Sequence, residues 1–230
     1  MAVSTAVLAL LVLVVAADTL FHRVDQPASL RVSGLPASVS TSLAGLMALS
    51  PVPHRLAPGF TLTDQVDRTM SLGRFRGKVV VLEFMDPHCT DICPLVSQEF
   101  IDAYRDLGRA SSHAAFLAVN VNQYYSSVAD MAAYSHEHRL DTIPSWHFLT
   151  GSARALSVVW RSYGVAVEAP NPRADIIHTS VIYFIDRRGR ERYVATPMAD
   201  HSTTGAAYLP ASSLASWGQG IAQVVRSLAQ

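Results

Sequence analysis

Cysteine is almost absent: Cys89 and Cys93 are the only two among 230 residues. Two thiols do not make a disulfide scaffold, and a pair this close in sequence closes too small a ring to staple a chain of this length. Charge is also scarce, at 16% of residues, and Lys+Arg and Asp+Glu stand at 18 each. Without a basic surplus the chain lacks the electrostatic footing of a nucleic-acid binder, so nucleic acid is excluded as a partner. Half of the residues are hydrophobic, which argues against overall disorder and supplies a core for one domain of ordinary size plus some appended sequence. No internal repeat at a period of roughly 20 to 50 residues is visible.

No charge occurs in residues 2–17 (AVSTAVLALLVLVVAA), after which Asp18, His22 and Arg23 restore polarity. This run lies between a signal-peptide core and the about 20 residues of a membrane span, and no Lys or Arg precedes it. Val15-Ala16-Ala17 offers small residues for cleavage. Residues 1–24 are therefore read as a signal peptide or transmembrane anchor, and the protein as exported to the outer face of the cytoplasmic membrane, either membrane-anchored or secreted. Residues 25–53, rich in Ser, Ala, Pro and Gly, read as a linker, with Leu43 to Leu49 a short helix packing on the domain or on a membrane surface. The globular domain is expected over residues 54–230.

Within it, Gly77-Lys78 opens a buried strand, Val79 to Phe84. Residues 95–107 place Leu95, Val96, Phe100, Ala103, Tyr104 and Leu107 on one helical face, and Pro94 suits a first turn. Strands follow at Ala114 to Val121 and Trp146 to Leu149, with helices at Val128 to His138 and Ala153 to Tyr163. Thr179 to Ile185 and Arg192 to Ala195 flank the hairpin turn Asp186-Arg-Arg-Gly189, and Ser212 to Leu228 closes the chain as a helix. The expected class is α/β, a mixed central sheet covered by helices on both faces.

Cys89-Thr-Asp-Ile-Cys93-Pro94 sits where a buried strand gives way to a helix. The dipole and free N–H groups of a helix N-terminus favour thiolate, so Cys93 is expected to have a depressed pKa. Thiolates four residues apart converge on one soft ion such as copper(I) or zinc, or act as a redox pair. A third ligand is needed, and among nine histidines His178 stands out at the start of the apolar run Thr179 to Ile185.

The succession Pro58-Gly-Phe-Thr-Leu-Thr-Asp64, Gly77-Lys-Val-Val-Val-Leu-Glu-Phe84, Cys89-Thr-Asp-Ile-Cys-Pro94 and His178-Thr-Ser-Val-Ile-Tyr-Phe-Ile-Asp186-Arg-Arg-Gly189 resembles the Sco/SenC family. The resemblance runs over residues 54–230 and implies a thioredoxin-like, membrane-tethered protein. It also implies copper as cargo, held by Cys89, Cys93 and His178, and a role in assembling the dinuclear copper centre of cytochrome c oxidase. The implied partner is the oxidase copper subunit or another copper or thiol client. Thr90 stands where the family commonly has Pro, and Ile177 where it often has Asp.

Other residues read more plainly. Asp91 is expected as an N-cap, Asp175 as a surface loop residue, and His88 as a neighbour of the thiols facing water. Glu83 is expected to face solvent at an edge, His136 and His138 to point apart, and Met198-Ala-Asp-His201 to form a polar loop. Two thiolates and one imidazole suit copper(I), whereas structural zinc takes four protein ligands. The rival function is a thiol-disulfide reductase in which Cys89 and Cys93 do the redox chemistry without a distant imidazole. A peroxide-reducing redoxin fits less well, since both thiols share one loop.

Overall fold

A computed structural model describes residues 33–53 and 55–230. The expected signal or anchor, residues 1–24, lies outside the described residues. Among those described, no helix is long and apolar enough to cross a membrane.

The centre is a six-stranded mixed sheet. β4 (Val79–Met85), β5 (Ala114–Asn120) and β6 (Trp146–Leu149) run parallel. β9 (Ile182–Ile185) lies antiparallel beside β4, followed by β10 (Glu191–Ala195) and the edge strand β1 (Ser50–Pro51). Every residue of β4 and β5 is buried, as a strand covered on both faces requires, and this accounts for their unbroken apolar runs.

Alternation along β4 splits the core. Val79, Val81 and Met85 face α1 (Thr41–Leu46), α2 (Ile92–Leu107), α3 (Val128–Glu137) and α5 (Ala211–Ala229). Val80, Leu82 and Phe84 face α4 (Ala153–Tyr163) and the hairpin of β2 (Thr61–Thr63) and β3 (Thr69–Ser71). This is the thioredoxin-like arrangement expected, a mixed sheet with helices on both sides. The turn Asp186-Arg-Arg-Gly189 forms as read, with the Gly189 N–H donating to the Asp186 carbonyl at 2.7 Å and Gly189 at φ 73°.

The linker reading changes over residues 39–51. Val39, Leu43, Ala44, Met47 and Leu49 are buried in the main core, and β1 pairs with β10. Of the two placements open for the Leu43 to Leu49 helix, it takes the one on the domain. Met47 is fully buried, and a Cβ added at Gly220 would fall 2.3 Å from its sulfur, so α5 admits Met47 only because position 220 has no side chain. The folded unit therefore begins ahead of residue 54.

The Thr179 to Ile185 run also differs from a single strand. The sheet uses only β9 from Ile182, while His178 sits in β8 (Ile177–His178), paired with β7 (Val167–Glu168) in a separate short hairpin.

Candidate functional site

β4 ends at Met85, and the chain reaches α2 through the loop that carries Cys89. Pro94 falls in the first turn of α2, where backbone N–H groups have no helical acceptor and a missing donor costs nothing. Cys93, also in that turn, points into the core at 2% exposure, and Cys89 in the loop is half-buried. Both are free thiols.

The two sulfurs are hydrogen-bonded, with the Cys93 thiol donating to Cys89. That bond, with the backbone N–H groups of Cys93 and Asp91, outweighs burial and lowers the Cys89 thiol to about 7. Donating to Cys89 holds the proton on Cys93, and burial adds to this, so the Cys93 thiol is pushed well above its usual range. The expectation that Cys93 would be the acidic thiol is thus reversed. Backbone N–H groups at the helix start favour a thiolate as expected, but the half-buried loop sulfur receives their benefit and the inward one pays the larger desolvation.

Asp86 organises this loop. Its backbone N–H donates to the Cys93 sulfur, and its carbonyl accepts from the Cys89 N–H at 3.1 Å. Its carboxylate accepts from the His88 N–H and from the Asn122 side-chain amide, both at 2.9 Å. Below the thiols, the Ser97 hydroxyl donates to the Cys93 carbonyl at 2.9 Å and meets the buried Tyr134 hydroxyl at 3.0 Å.

His178 lies within electrostatic reach of Asp86, and its burial, the larger influence, lowers its pKa and favours the neutral ring. Its Nδ1 is 3.0 Å from the Thr179 carbonyl, which only accepts, so Nδ1 carries the proton. Nε2 has no hydrogen-bond partner among the described residues and keeps its lone pair, the state of a metal-ligating imidazole. The structure thus brings Cys89 and Cys93 together, but it does not gather all three expected ligands. Among the described residues, no three His, Cys, Asp or Glu side chains lie close enough to hold a metal ion as they stand.

Several neighbours depart from their plain readings. His88 stacks on Tyr125 with ring centroids 3.8 Å apart. Asp91 occupies the N-cap position without a side-chain cap bond, and its carboxylate meets His201 Nε2 at 2.9 Å. His201 belongs to the hairpin of β11 (Asp200–His201) and β12 (Ala207–Tyr208), so this polar loop flanks the cysteine loop. Local sequence carried no signal for that approach across 110 residues. His136 and His138 do point apart, one to Asp141 at 3.0 Å and the other onto the Tyr134 ring.

Glu83 overturns its expectation. It is 1% exposed in the central strand, on the α2 face, and burial raises its carboxyl to about 8 against hydrogen bonds from Phe84, Val181 and Ser180. Its Oε2 has no partner, nor does either carboxyl oxygen of buried Glu99 on α2.

A family model described as SCO1/SenC matches residues 50–208. In fold the chain is similar to Bradyrhizobium japonicum ScoI with copper bound, with a TM-score of 0.56 and 21% identity over 74% of this chain and 99% of that one. It is also similar to a SCO1/SenC family lipoprotein from Bacillus anthracis str. Ames, with a TM-score of 0.61 and 20% identity over 79% and 98% of the two chains. A third likeness is to BsSco, a member of the Sco family of cytochrome c oxidase assembly proteins in which a disulfide switch was identified, with a TM-score of 0.52 and 20% identity over 63% and 84%. Because the family match spans most of the chain and includes both cysteines and His178, this protein belongs to the SCO1/SenC family.

Proposed function

We propose that the protein is a copper-binding assembly factor that carries copper as cargo on Cys89, Cys93 and His178 and delivers it to, or prepares, the copper centre of cytochrome c oxidase. The observation that carries this reading is the donor set: two hydrogen-bonded thiols at a strand-helix junction and an imidazole whose Nδ1 proton is committed to the Thr179 carbonyl. Soft sulfur donors with one neutral nitrogen suit copper(I). The copper-bound ScoI neighbour and the assembly role of the BsSco family support it.

Loading requires both sulfurs as thiolates, so copper displaces the proton that Cys93 now donates to Cys89. It also requires the β7–β8 hairpin to carry His178 toward the sulfurs. Segment 1–24 holds the protein at the outer face of the cytoplasmic membrane in this reading, in keeping with the lipoprotein neighbour. The reduced protein is expected to bind one copper(I) per chain in competition with a chelator, and the Cys89–Cys93 disulfide form to bind none of comparable affinity. Equal affinity in the two states would place the site elsewhere.

The contrast between the sulfurs favours a second reading, a thiol-disulfide reductase. Half-buried Cys89, lowered to about 7, would attack a client disulfide and release one client thiolate. Cys93 would then attack Cys89 in the mixed disulfide, freeing the second client thiol and leaving the Cys89–Cys93 disulfide, two electrons having passed to the client.

A further inference from the structure

Basic side chains gather at one end of the central sheet. The stretches Arg74-Phe-Arg-Gly-Lys78 and Arg187-Arg-Gly-Arg-Glu-Arg192 hold seven of the chain's 18 Lys and Arg. Val80 pairs with Ile185 across β4 and β9, so the residues before β4 and the turn after β9 meet at one end of the sheet. A Cβ added at Gly189 would fall 2.5 Å from the guanidinium carbon of Arg76, which lies against that turn.

The two acids next to these arginines in sequence, Asp186 and Glu191, face inward. Asp186 is buried and bonded to Arg192 at 3.4 Å, and Glu191 is buried and bonded to Arg55 at 2.7 Å. Arg74, Arg76, Arg188 and Arg190 are exposed, with no side-chain hydrogen bond or ion pair among the described residues. Arg187 reaches the Gly77 and Ala229 carbonyls, each at 3.0 Å, and with Arg188 and Arg192 it lines a cleft of about 550 Å³. Leu56, 60% exposed, is bridged to Arg190 and adds an apolar side chain to the cationic rim.

The thiols lie at the other end of β4, about 20 Å away for a seven-residue strand. There the exposed side chains include Asp91, Glu168, Asp175 and Asp200, with Arg173 a cation among them.

We propose that the arginine pole is a docking surface for an anionic lipid bilayer. Lys and Arg are drawn to negatively charged headgroups within a Debye length, and an exposed leucine among them enters the interface. With an overall net charge of zero, it is this local cluster of cations, not the charge of the whole chain, that favours an anionic surface. Docking in this orientation turns Cys89 away from the membrane, toward whatever client meets it. The docking itself does not depend on the copper reading.

Binding of the full chain to vesicles of phosphatidylcholine, alone or with added phosphatidylglycerol, tests this. The uncharged run 2–17 responds to neither headgroup, so the preference for phosphatidylglycerol reports the pole. Each cation near the surface contributes about fivefold, so Arg74→Gln, Arg188→Gln and Arg190→Gln together lower the preference about a hundredfold. Removing three exposed arginines elsewhere, by Arg154→Gln, Arg161→Gln and Arg173→Gln, leaves most of it. High salt abolishes it in the wild type. Equal binding to both vesicles, equal loss in both triple variants, or tighter binding of the pole to a short RNA than to vesicles would each overturn the proposal.

Discussion

The side-chain amide of Asn122 donates to the carboxylate of Asp86 at 2.9 Å, joining the loop after β5 to the loop that carries the thiols. The Asn122 side-chain oxygen Oδ1 in turn accepts from the Tyr124 and Tyr125 N–H groups at 3.0 and 3.3 Å. The cysteine loop is therefore braced by a neighbouring strand as well as by its own turn, and Tyr125 stacks on His88 from the same side.

Asn122→Ala leaves the buried Asp86 carboxylate one donor short, a loss of about 1–3 kcal/mol. The expected result is a lower urea midpoint with an unchanged m-value, together with faster alkylation of Cys89 as the loop loosens. Unchanged stability and thiol reactivity would show that the brace is dispensable.

Met47→Ala should cost about 2–5 kcal/mol, the range for deleting a fully buried Met side chain. A chain beginning at residue 34 should fold, while one beginning at residue 54 should be insoluble or far less stable, because it exposes the floor of α5. Equal urea midpoints for the two truncations would restore residues 34–53 to the status of a tether.

Much of this architecture is legible in the sequence, and what is not shares a physical cause. The apolar run at Val79, the helical face of Val96, Phe100 and Ala103, and the Asp186 to Gly189 turn are local patterns, and they form where read. The Leu43 to Leu49 helix is legible, but its choice of the domain over a membrane surface is not, because the cover it finds on α5 lies far along the chain. Glu83 misleads because alternation signals exposure only on a half-covered strand, and β4 is covered on both faces. The acidity of Cys89 over Cys93 turns on which sulfur faces inward, and local spacing carries no record of that.

Glu83 makes stability depend on pH in a defined direction. Its carboxyl ionises near 4.5 in the unfolded chain and at about 8 in the fold. Between those values unfolding releases a proton, so stability falls as pH rises, by up to about 1.4 kcal/mol per pH unit. Glu99, raised by its own burial and by Glu83, acts in the same sense. Glu83→Gln should flatten the slope between pH 5 and about 8 in urea unfolding and leave the variant the more stable protein at the upper end. Parallel slopes for wild type and variant would mean that Glu83 ionises normally in the fold.

The most direct test of the copper reading is the copper(I) affinity of reduced His178→Ala beside the wild type, measured against a competing chelator. The account predicts a fall well beyond about tenfold, a loss seen even for partners one bond removed from a metal, while Cys89 keeps its reactivity toward disulfides. An unchanged affinity would contradict the three-ligand site and, with brisk disulfide reduction by the wild type, would make the protein a reductase.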